Sequence, residues 1–525
     1  MADTKREIER KYELPERPDA PYQPRLPDLT LVSGVSAVSG QGVVALDAVY
    51  YDTSDLRLNA GSLTLRRRTG GGDEGWHLKI PVSDGVRDEI QAPLADTIPA
   101  ELAELLRSRV RGTALTPVVR LRTSRDIRHL LDTRGALLAE VSVDAVHAER
   151  LTEGAVTVAS WTEVEVELAD DGDPAFLDAV DTKLREAGLR PASIASKLGR
   201  ALAETAPGET TPGEATPGVG AKAAGAKATA PATAGDHVLA YLRAQAEAIV
   251  AQDPAVRRGL PDSVHRMRVA CRRMRSAFRT YRKVLDRSVT DPIADELKWL
   301  AAELGIDRDH EVLDKRLGAR LDALPETLLL GPVRGRLRFW DVALRDDARR
   351  TTLATLDSER YLNLLNTLDA LLADPPLRPG AAKAPGKVLP RAILKDYDRL
   401  AGRIEEALAL PPGTGRDVAL HNARKAGKRV RYAAEAATPA LGKPAKRFAK
   451  RMKAVQNLLG DHQDSVVARD ALRTLAIQAH AADETAFVWG LLYGQEEAQA
   501  ASRERRLPKV WARASARKGR AALTR

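Results

Sequence analysis

The sequence predicts a multidomain chain of two fold classes: an N-terminal antiparallel β-barrel of about eight strands with flanking helices, then a C-terminal all-α domain of two duplicated helical halves. Three observations predict this. Apolar and polar residues alternate through most of residues 5–168, with the period of two that is typical of strands. From residue 236 onward the apolar residues recur with a helical period. Between these regions lies an Ala/Pro/Gly/Thr tract without apolar periodicity.

The domain boundaries follow from these changes of pattern. Residues 1–204 form the predicted barrel domain, and residues 236–515 form the predicted helical domain. The tract at 205–235 cannot bury enough apolar surface to fold, so it is predicted to be a disordered linker. Residues 516–525 are predicted to be a basic tail, and residues 375–387 to be a loop between the two helical halves.

The elements of the first domain follow from alternation and turn signals. Turn-forming glycines, such as Gly70–Gly72 and Gly85, separate several of the alternating segments. Helical periodicity interrupts them at 99–109, 174–187 and 194–204. The strands are predicted at 5–13, 44–51, 62–68, 75–81, 86–91, 117–123, 137–150 and 155–168.

Composition and charge limit the function classes. The chain has 525 residues and a net charge of +10, but residues 236–525 carry 54 basic against 36 acidic residues, and residues 1–235 carry 28 against 36. This asymmetry predicts a polyanionic partner for the second half. Cys271 is the only cysteine, which excludes an intrachain disulfide and a cysteine-cluster metal site. The N-terminal residues lack an apolar signal region and no stretch is long and apolar enough to span a membrane, so we expect a cytoplasmic protein without membrane partners.

Charged residues share one face in several of the predicted strands. Glu7, Glu9 and Lys11 point to the same side of the first strand because residues two apart share a face. Some strands carry pairs of cations and others carry rows of carboxylates, as in Glu163–Glu165. A solvated outer face is the alternative for any single strand. If the charged faces line the lumen instead, a basic wall meets an acidic wall, which suits a metal-bound triphosphate.

These motifs make residues 1–203 resemble the CYTH family, the triphosphate tunnel metalloenzymes. The resemblance rests on Glu7-x-Glu9-x-Lys11, GSLTLRRR (61–68), WHLKIP (76–81), EVSVD (140–144), WTEVEVEL (161–168) and SKLGRAL (196–202). It implies an eight-stranded tunnel that acts on triphosphates with Mg²⁺ or Mn²⁺. Position by position, it implies catalytic roles for Glu7, Glu9 and Lys11, metal ligation by Glu7, Glu9, Glu163 and Glu165, weaker metal candidates in Glu140, Asp144 and Glu167, and phosphate binding by Lys11, Arg66, Arg68, Lys79, Arg120, Arg122 and Lys197.

The helical half contains two copies of a basic stripe. The first copy has cationic or histidine residues at offsets 0, 3, 7, 10 and 14 from His265, and the second at offsets 0, 3, 7 and 10 from His421. Such offsets place these residues on one side of a helix. In both copies a lysine follows downstream, with a glycine seven residues after it and an aspartate four residues after the glycine: Lys298, Gly305 and Asp309, then Lys453, Gly460 and Asp464. The match indicates an internal duplication. A solvated basic face is the alternative, but a cationic stripe that occurs twice favours an anionic partner.

These repeats resemble the CHAD family over roughly residues 236–515. The resemblance implies that inorganic polyphosphate binds in a groove between the two halves. Aromatic residues are scarce and do not interleave with the stripes, which argues against nucleic acid as the partner. In the first copy Arg308 has no symmetric mate, because Gln463 occupies the matching position. The implied polyphosphate-binding residues are His265, Arg268, Arg272, Arg275, Arg279, Lys298, Arg308, His421, Arg424, Lys428, Arg431 and Lys453.

The sequence therefore predicts a metal-dependent triphosphatase, with inorganic tripolyphosphate as the small-molecule substrate, joined to a polyphosphate-binding domain. Three alternatives stay open: a nucleotide cyclase with the same tunnel, a polyphosphate-binding protein without catalysis, and a nucleic-acid-binding helical half. Association with polyphosphate granules is a further expectation, because the helical half would bring the tunnel to its substrate.

Overall fold

A computed structural model describes residues 3–14, 26–151, 157–206 and 232–524. The chain divides into two compact units, Met1–Ala226 and Lys227–Arg525. Most of the predicted linker, residues 207–231, lies outside the described residues.

The first unit is a closed antiparallel barrel, as predicted. Neighbouring strands follow the order β5-β4-β3-β2-β6-β7-β8-β1-β9, and β5 also pairs with β1, which closes the ring of eight strands. The strands are β1 (Asp3–Glu13), β2 (Ala37–Asp52), β3 (Thr64–Thr69), β4 (Gly75–Ser83), β5 (Val86–Ala92), β6 (Thr116–Leu131), β7 (Leu137–Arg150), β8 (Val158–Leu168) and the short β9 (Arg190–Pro191).

Four helices accompany the barrel. They are α1 (Arg57–Ala60), α2 (Ala100–Val110), α3 (Ala175–Glu186) and α4 (Lys197–Glu204). α2 and α3 cover its outer surface, whereas α4 contributes Lys197 and Leu198 to the lining of the lumen. Apolar residues of β7 and β8, such as Val141 and Val166, pack beneath Leu184 of α3. A separate outer cluster lies beneath α2, and the apolar residues of α4 pack against inward-facing strand residues such as Leu121. Because the apolar strand faces under α2 and α3 point outward, the charged residues that alternate with them point into the lumen.

Two strands are longer than the sequence predicts. β2 begins at Ala37 and β6 continues to Leu131, so that residues 37–43 pair with residues 126–131. Gly40 and Gly42 favour a loop in the sequence, but the structure uses them at a register shift, where Gly42 has a φ of +95°. A glycine accepts this conformation readily because it has no Cβ. The extension matters because it adds Arg125 and Ile127 of β6 to the tunnel wall.

The second unit is all-α, as predicted. Its helices are α5 (Ala234–Arg257), α6 (Ser263–Thr280), α7 (Arg287–Glu303), α8 (Gly305–Asp322), α9 (Val333–Asp357), α10 (Glu359–Ala373), α11 (Pro385–Ala409), α12 (Thr414–Ala436), α13 (Thr438–Leu441), α14 (Lys443–Ala481), α15 (Phe487–Ala514) and α16 (Arg517–Ala521). One large apolar core joins α5, α6, α7, α10, α11, α12 and the first half of α14. No helix in the described ranges is long and apolar enough to cross a membrane.

The two halves of this unit differ in whether the helix is interrupted near the repeated glycine, Gly305 or Gly460. α7 ends at Glu303 and α8 begins at Gly305, whereas the matching residues of the second half lie inside the continuous 39-residue helix α14. The helical periodicity of the sequence instead predicts two helices here, at 442–459 and 463–480, with a break near Gly460. Glycine lowers the stability of an exposed helix by about 1 kcal/mol. Gly460 lies among the buried residues of α14, so packing outweighs this cost.

The structure also differs from the prediction in two further segments, the predicted loop at 375–387 and the predicted basic tail at 516–525. Residues 375–384 dock against the end of α6: Arg378 N–H donates to Val284 O at 2.8 Å, and Asp286 N–H donates to Pro376 O at 2.9 Å. The predicted basic tail includes α16, and Leu523 after it is buried in the large core.

Candidate functional site

The barrel encloses a cavity of about 380 Å³ with a balanced set of charges. Eight cationic and eight acidic side chains line it. The cationic set is Lys5, Lys11, Arg66, Arg68, Lys79, Arg87, Arg125 and Lys197. The acidic set is Glu7, Glu9, Asp73, Glu89, Glu140, Glu165, Glu167 and Asp170. A lumen with this many charges is costly to bury unless they pair or bind ligands.

One part of the tunnel wall is built on β1, β4 and β5. Lys79 Nζ lies 2.6 Å from Oε2 of Glu7 and 3.6 Å from Oε1 of Glu89. Burial raises the pKa of Glu7 to about 7, although Lys79 opposes this shift. Burial also favours the neutral form of Glu89, but Lys79 and the hydrogen bond from His77 outweigh it, and the pKa of Glu89 falls well below its ordinary range. Glu89 is therefore a buried anion that holds several cations in place.

Glu9 and Lys11 continue this wall toward the acidic strands. Lys11 Nζ lies 3.5 Å from Oε1 of Glu9 and also contacts Oε1 of Glu165 on β8. Burial would raise the pKa of Glu9, but Lys11 and Lys79 outweigh it and lower that pKa. The Glu-x-Glu-x-Lys motif of β1 thus links the two sides of the lumen.

A cationic wall faces these groups. Arg66, Arg68 and Arg125 form it, and Arg68 is buried. Burial lowers the pKa of Arg68 to about 9, and the positive charges of Arg66 and Arg125 add to this shift. Asp73 contacts Arg68, yet the Nε atoms of Arg66 and Arg68 are buried without a hydrogen-bond acceptor in the described residues. Guanidinium groups in this state are suited to bind phosphoryl oxygens.

Three buried carboxylates, Asp144, Glu163 and Glu165, form a cluster on β7 and β8. One oxygen of each lies within 4.8 Å of the others. Lys197 Nζ, at the first residue of α4, lies 2.9 Å from Asp144 and 2.8 Å from Glu163, and it also contacts Glu165. Oε1 of Glu163 accepts no hydrogen bond of good geometry in the described residues. Carboxylate oxygens are the ligands that Mg²⁺ and Mn²⁺ take, so this donor set fits a hard divalent cation.

The structure brings most of the predicted tunnel residues together. Glu7, Glu9, Lys11, Arg66, Arg68, Lys79, Glu165 and Lys197 line the cavity. Glu163 does not line it but is buried and contacts Lys197. Asp144, a weaker candidate in the sequence, completes the carboxylate cluster, whereas Glu7 and Glu9 lie outside that cluster. The roles of these residues stay predictions.

Two predicted tunnel residues are placed elsewhere. Arg120 and Arg122 of β6 do not line the cavity. Arg120 pairs with Asp47 at 2.5 Å, and the side chain of Arg122 is 53% exposed. The physical reason is the alternation of β6: Leu121 packs with Leu198 of α4, which itself lines the cavity. Residues 121, 123, 125 and 127 therefore share the inner face, and the arginines at 120 and 122 take the outer face.

Sequence reasoning missed Arg125 and the central role of Glu89. Arg125 donates to Asp144 at 2.8 and 2.7 Å and to Glu165 at 2.8 Å. Burial would lower its pKa, but the charges of Asp144 and Glu165 outweigh burial and raise it. Arg125 lies two residues from both Thr123 and Ile127, so it shares their face of the strand. This signal could be read from the sequence only if β6 were extended beyond residue 123.

In the helical unit, the two basic stripes meet across a groove of about 540 Å³. α6 supplies Arg272, Arg275 and Arg279, and α12 supplies His421, Arg424 and Lys428. The groove has no acidic lining residue in the described chain. The groove also has lining residues that are not among those predicted from the sequence: Ser276, Arg399, Arg403, Asn422, Lys425, Ala426, Arg429 and Tyr432.

The remaining predicted polyphosphate residues lie outside this lining. Lys298, Lys453 and His265 are exposed on their helices. Arg431 pairs with Glu435 at 3.2 Å and lies over the ring of Tyr432. The side chain of Arg308 lies outside the described residues. Arg268 donates from Nη1 to Gly305 O at 3.1 Å, which matches the close approach of Arg424 to Gly460 in the second half.

The groove depresses the pKa of several of its cations. Burial lowers the pKa of Lys428 to about 7, and Arg424 and Arg272 lower it further. Burial also lowers the pKa of Arg275, with Arg279 as a second cause, and the pKa of Arg429. His421 accepts or donates one hydrogen bond with Gln463 at 2.7 Å, and burial and Lys425 lower its pKa. Cations that repel one another in this way are stabilised by a bound anion.

Known proteins share both units. A model of the CYTH domain matches residues 5–198, and a model of the CHAD domain matches residues 240–473. The chain is 36% identical over 507 residues to an uncharacterized protein of Mycobacterium tuberculosis in two of its strains, with 93% of this chain and 92% of that protein covered.

Solved structures resemble each unit separately. The CHAD domain of the plant Ricinus communis is 27% identical with a TM-score of 0.44, covering 55% of this chain and 93% of that domain. A putative adenylyl cyclase from Hippeastrum, described as having a dominant triphosphatase activity, is 16% identical with a TM-score of 0.21, covering 37% of this chain and 93% of that one.

Proposed function

We propose that this chain, which belongs to the proteins that join a CYTH domain to a CHAD domain, is a metal-dependent triphosphatase with a polyphosphate-binding domain. Inorganic tripolyphosphate is the substrate we propose for the tunnel. The observation that carries the proposal is that one closed lumen holds Arg66, Arg68 and Arg125 together with a cluster of buried carboxylates.

In this proposal, different residues bind the phosphate and the metal. Arg66 and Arg68 bind phosphoryl oxygens, which supply acceptors for their buried Nε atoms. Asp144, Glu163 and Glu165 hold the divalent cation. When bound, Mg²⁺ or Mn²⁺ neutralises phosphoryl charge and supplies water as the nucleophile. The closed barrel fixes these groups before substrate arrives, so little reorganisation opposes the reaction.

The helical domain binds inorganic polyphosphate in this proposal. The groove between α6 and α12 contains cations from both halves and no acidic lining residue in the described part of the chain. Multiple contacts between arginine or lysine and phosphate give an affinity that falls steeply with salt. Such binding would bring the tunnel to polyphosphate in the cell, including granules. If deletion of residues 236–525 leaves association with polyphosphate in cells unchanged, this targeting role is wrong.

One assay tests the tunnel. Phosphate release is measured from tripolyphosphate, ATP and long-chain polyphosphate, each with Mg²⁺ and with Mn²⁺. The wild type is compared with Glu163→Gln/Glu165→Gln, and with Glu186→Gln/Glu204→Gln as a control of equal charge change on exposed helix positions. We expect metal-dependent release from tripolyphosphate that the first variant loses and the second keeps. Formation of a cyclic nucleotide from ATP would identify a cyclase instead. A folded protein that binds polyphosphate but releases no phosphate from any substrate would be a binding protein.

A further inference from the structure

A second basic cavity lies beside the groove, at the end of α6 and the start of α11. Its volume is about 500 Å³. The cations around it come from three segments: the end of α6, the docked loop 375–384 and α11. They are Arg282, Lys283, Lys383, Lys387, Arg391 and Lys395. None of the six pairs with a carboxylate in the part of the chain that the structure describes, and no acidic residue lines the cavity.

Backbone contacts fix the loop 375–384 at one side of this cavity. An added Cβ at Gly380 would lie 2.1 Å from Lys283 O, so only glycine allows the loop to approach α6 this closely. Arg378 N–H donates to Val284 O at 2.8 Å, and Gly235 N–H donates to Ala381 O at 2.9 Å. The loop therefore holds Lys383 at a defined place next to Lys283. The fold therefore positions these lysines relative to each other, unlike isolated lysines on a protein surface.

α11 borders both the second cavity and the groove. Lys387, Arg391 and Lys395 line the second cavity, and Arg399 and Arg403 line the groove. These five cations recur at every fourth residue of α11, so successive members lie about 6 Å apart along the helix and the row is about 24 Å long. Residues that recur at every fourth position form one ridge on the surface of a helix. These five cations are therefore the α11 ridge.

Cations also follow one another from the groove to the second cavity along α6 and the residues after it. Its residues Arg275 and Arg279 line the groove, and Arg282 and Lys283, directly after the helix, line the second cavity. The buried carboxylate of Asp396, which follows Lys395 in α11, lines neither cavity and is only 4% exposed. It accepts from Thr280 at 2.6 Å and pairs with Arg399 at 3.1 Å, so it does not neutralise the cations of the second cavity.

We propose that the groove and the second cavity form one continuous binding track for a long linear polyphosphate. A short chain fills the groove alone, whereas a long chain follows the α11 ridge and also contacts Lys395, Arg391 and Lys387. The proposal rests on polyphosphate binding by the groove. It adds that this domain distinguishes polyphosphates by length.

The test measures the affinity of the full chain for polyphosphate, with a chelator present so that the tunnel does not consume the ligand. Two probes are used: a short chain that fits the groove, and a long chain. The variant Lys387→Ala/Arg391→Ala/Lys395→Ala removes the ridge. The control Lys446→Ala/Arg447→Ala/Lys450→Ala removes three exposed cations of α14 that line neither cavity. All six residues are exposed, so both variants are expected to fold.

We expect the ridge variant to bind the long chain at least about tenfold more weakly, with a shallower salt dependence, and the short chain within about twofold of wild type. The control variant should change neither affinity by more than about twofold. Equal weakening of both lengths in the ridge variant, or of the long chain in both variants, would overturn the proposal.

A third variant separates this proposal from the function on which it rests. Arg275→Ala/Arg279→Ala removes two groove cations, and we expect it to weaken binding of both chain lengths. If it does so while the ridge variant binds like wild type, the second cavity is not part of the track and groove binding stands. If wild type binds neither probe, polyphosphate binding itself is wrong. Preferential use of the ridge by single-stranded DNA over polyphosphate at physiological salt would overturn the ligand class.

Discussion

Arg268 crosses from α6 to α8, where its Nη1 donates a 3.1 Å hydrogen bond to the carbonyl oxygen of Gly305. An added Cβ at residue 305 would lie 2.9 Å from Nη2 of the same guanidinium, so the side chain of Arg268 has to move. Arg268 is close enough to the groove to lower the pKa of Lys428. We predict that Gly305→Ala weakens polyphosphate binding about threefold to tenfold while the domain stays folded, measured by calorimetric titration and thermal unfolding.

The internal duplication provides the matched control. At Gly460, an added Cβ would lie 3.6 Å from Nε and Nη2 of Arg424, which is ordinary contact. Gly460 lies inside α14, so alanine should stabilise the helix by up to about 1 kcal/mol. We expect Gly460→Ala to bind polyphosphate like wild type. Equal effects of the two glycine substitutions would show that the Arg268 contact is not important for the ligand.

Arg125 and Arg122 of β6 provide the second prediction. Arg125 lines the tunnel and donates to Asp144 and Glu165, whereas Arg122 is on the outer face. We expect Arg125→Gln to lower kcat/KM for tripolyphosphate by about 100-fold or more, because charge stabilisation of the phosphoryl group is lost. Arg122→Gln should stay within about twofold of wild type. Thermal unfolding shows whether the loss in Arg125→Gln comes from misfolding, and a large loss in Arg122→Gln would contradict the assignment of the inner face.

Lys197 provides a prediction about the metal. Its ammonium is the cation that contacts all three members of the carboxylate cluster. We predict that Lys197→Met destabilises the barrel by about 3 kcal/mol, because the buried carboxylates lose a partner. Added Mg²⁺ or Mn²⁺ should raise the melting temperature of this variant more than that of wild type, because a ligand that binds only the folded state stabilises it.

The control for this prediction lies on the same helix. Arg200 pairs with the exposed Glu204 at 2.6 Å and does not contact the cluster. Arg200→Met should show the same metal-dependent shift in melting temperature as wild type. If Lys197→Met also shows only the wild-type shift, the cluster of Asp144, Glu163 and Glu165 does not hold the cation.

The comparison of Arg122 with Arg125 shows how far the sequence could predict the site. Motif and alternation correctly predict the barrel and place Glu7, Lys79 and Lys197 in one lumen. The choice of face on β6 depends on whether Leu121 points outward or inward, and the sequence around it fits both. Packing of Leu121 against Leu198 of α4 decides it. Such a contact between distant residues is not readable from local alternation.

In the helical domain, residues of the duplicated stripes lie on the α6 and α12 sides of the groove, and their role in binding stays a prediction. The α11 cations, such as Arg399 and Arg391, were missed because a row at every fourth residue on an amphipathic helix resembles an ordinary solvated face. Only the packing of α11 beside α6 and α12 shows that this row borders the groove. The continuous α14 was missed for a related reason, because Gly460 is a helix breaker in isolation but is held by tertiary contacts.

The last prediction concerns pH and Lys428. Burial lowers the pKa of Lys428 to about 7, and Arg424 and Arg272 add to the shift, while Asp464 opposes it. In the free protein this lysine therefore loses its proton as the pH rises through about 7. A bound polyanion favours the charged form and raises the pKa again. Binding near and above pH 7 must then take up a proton, and affinity must fall as the pH rises above about 7.

Calorimetric titration in buffers with different ionisation enthalpies measures this proton uptake directly. We expect an uptake approaching one proton above pH 7 in wild type, and a reduced uptake in Lys428→Arg, because arginine stays protonated. The exposed groove residue Lys425 is the control, and Lys425→Arg should keep the wild-type uptake. His421 also faces the groove, but its lowered pKa places its own proton uptake at a lower pH. An uptake that is unchanged in Lys428→Arg would show that Lys428 stays charged in the free groove, and the repulsion among the groove cations would then be weaker than their geometry indicates.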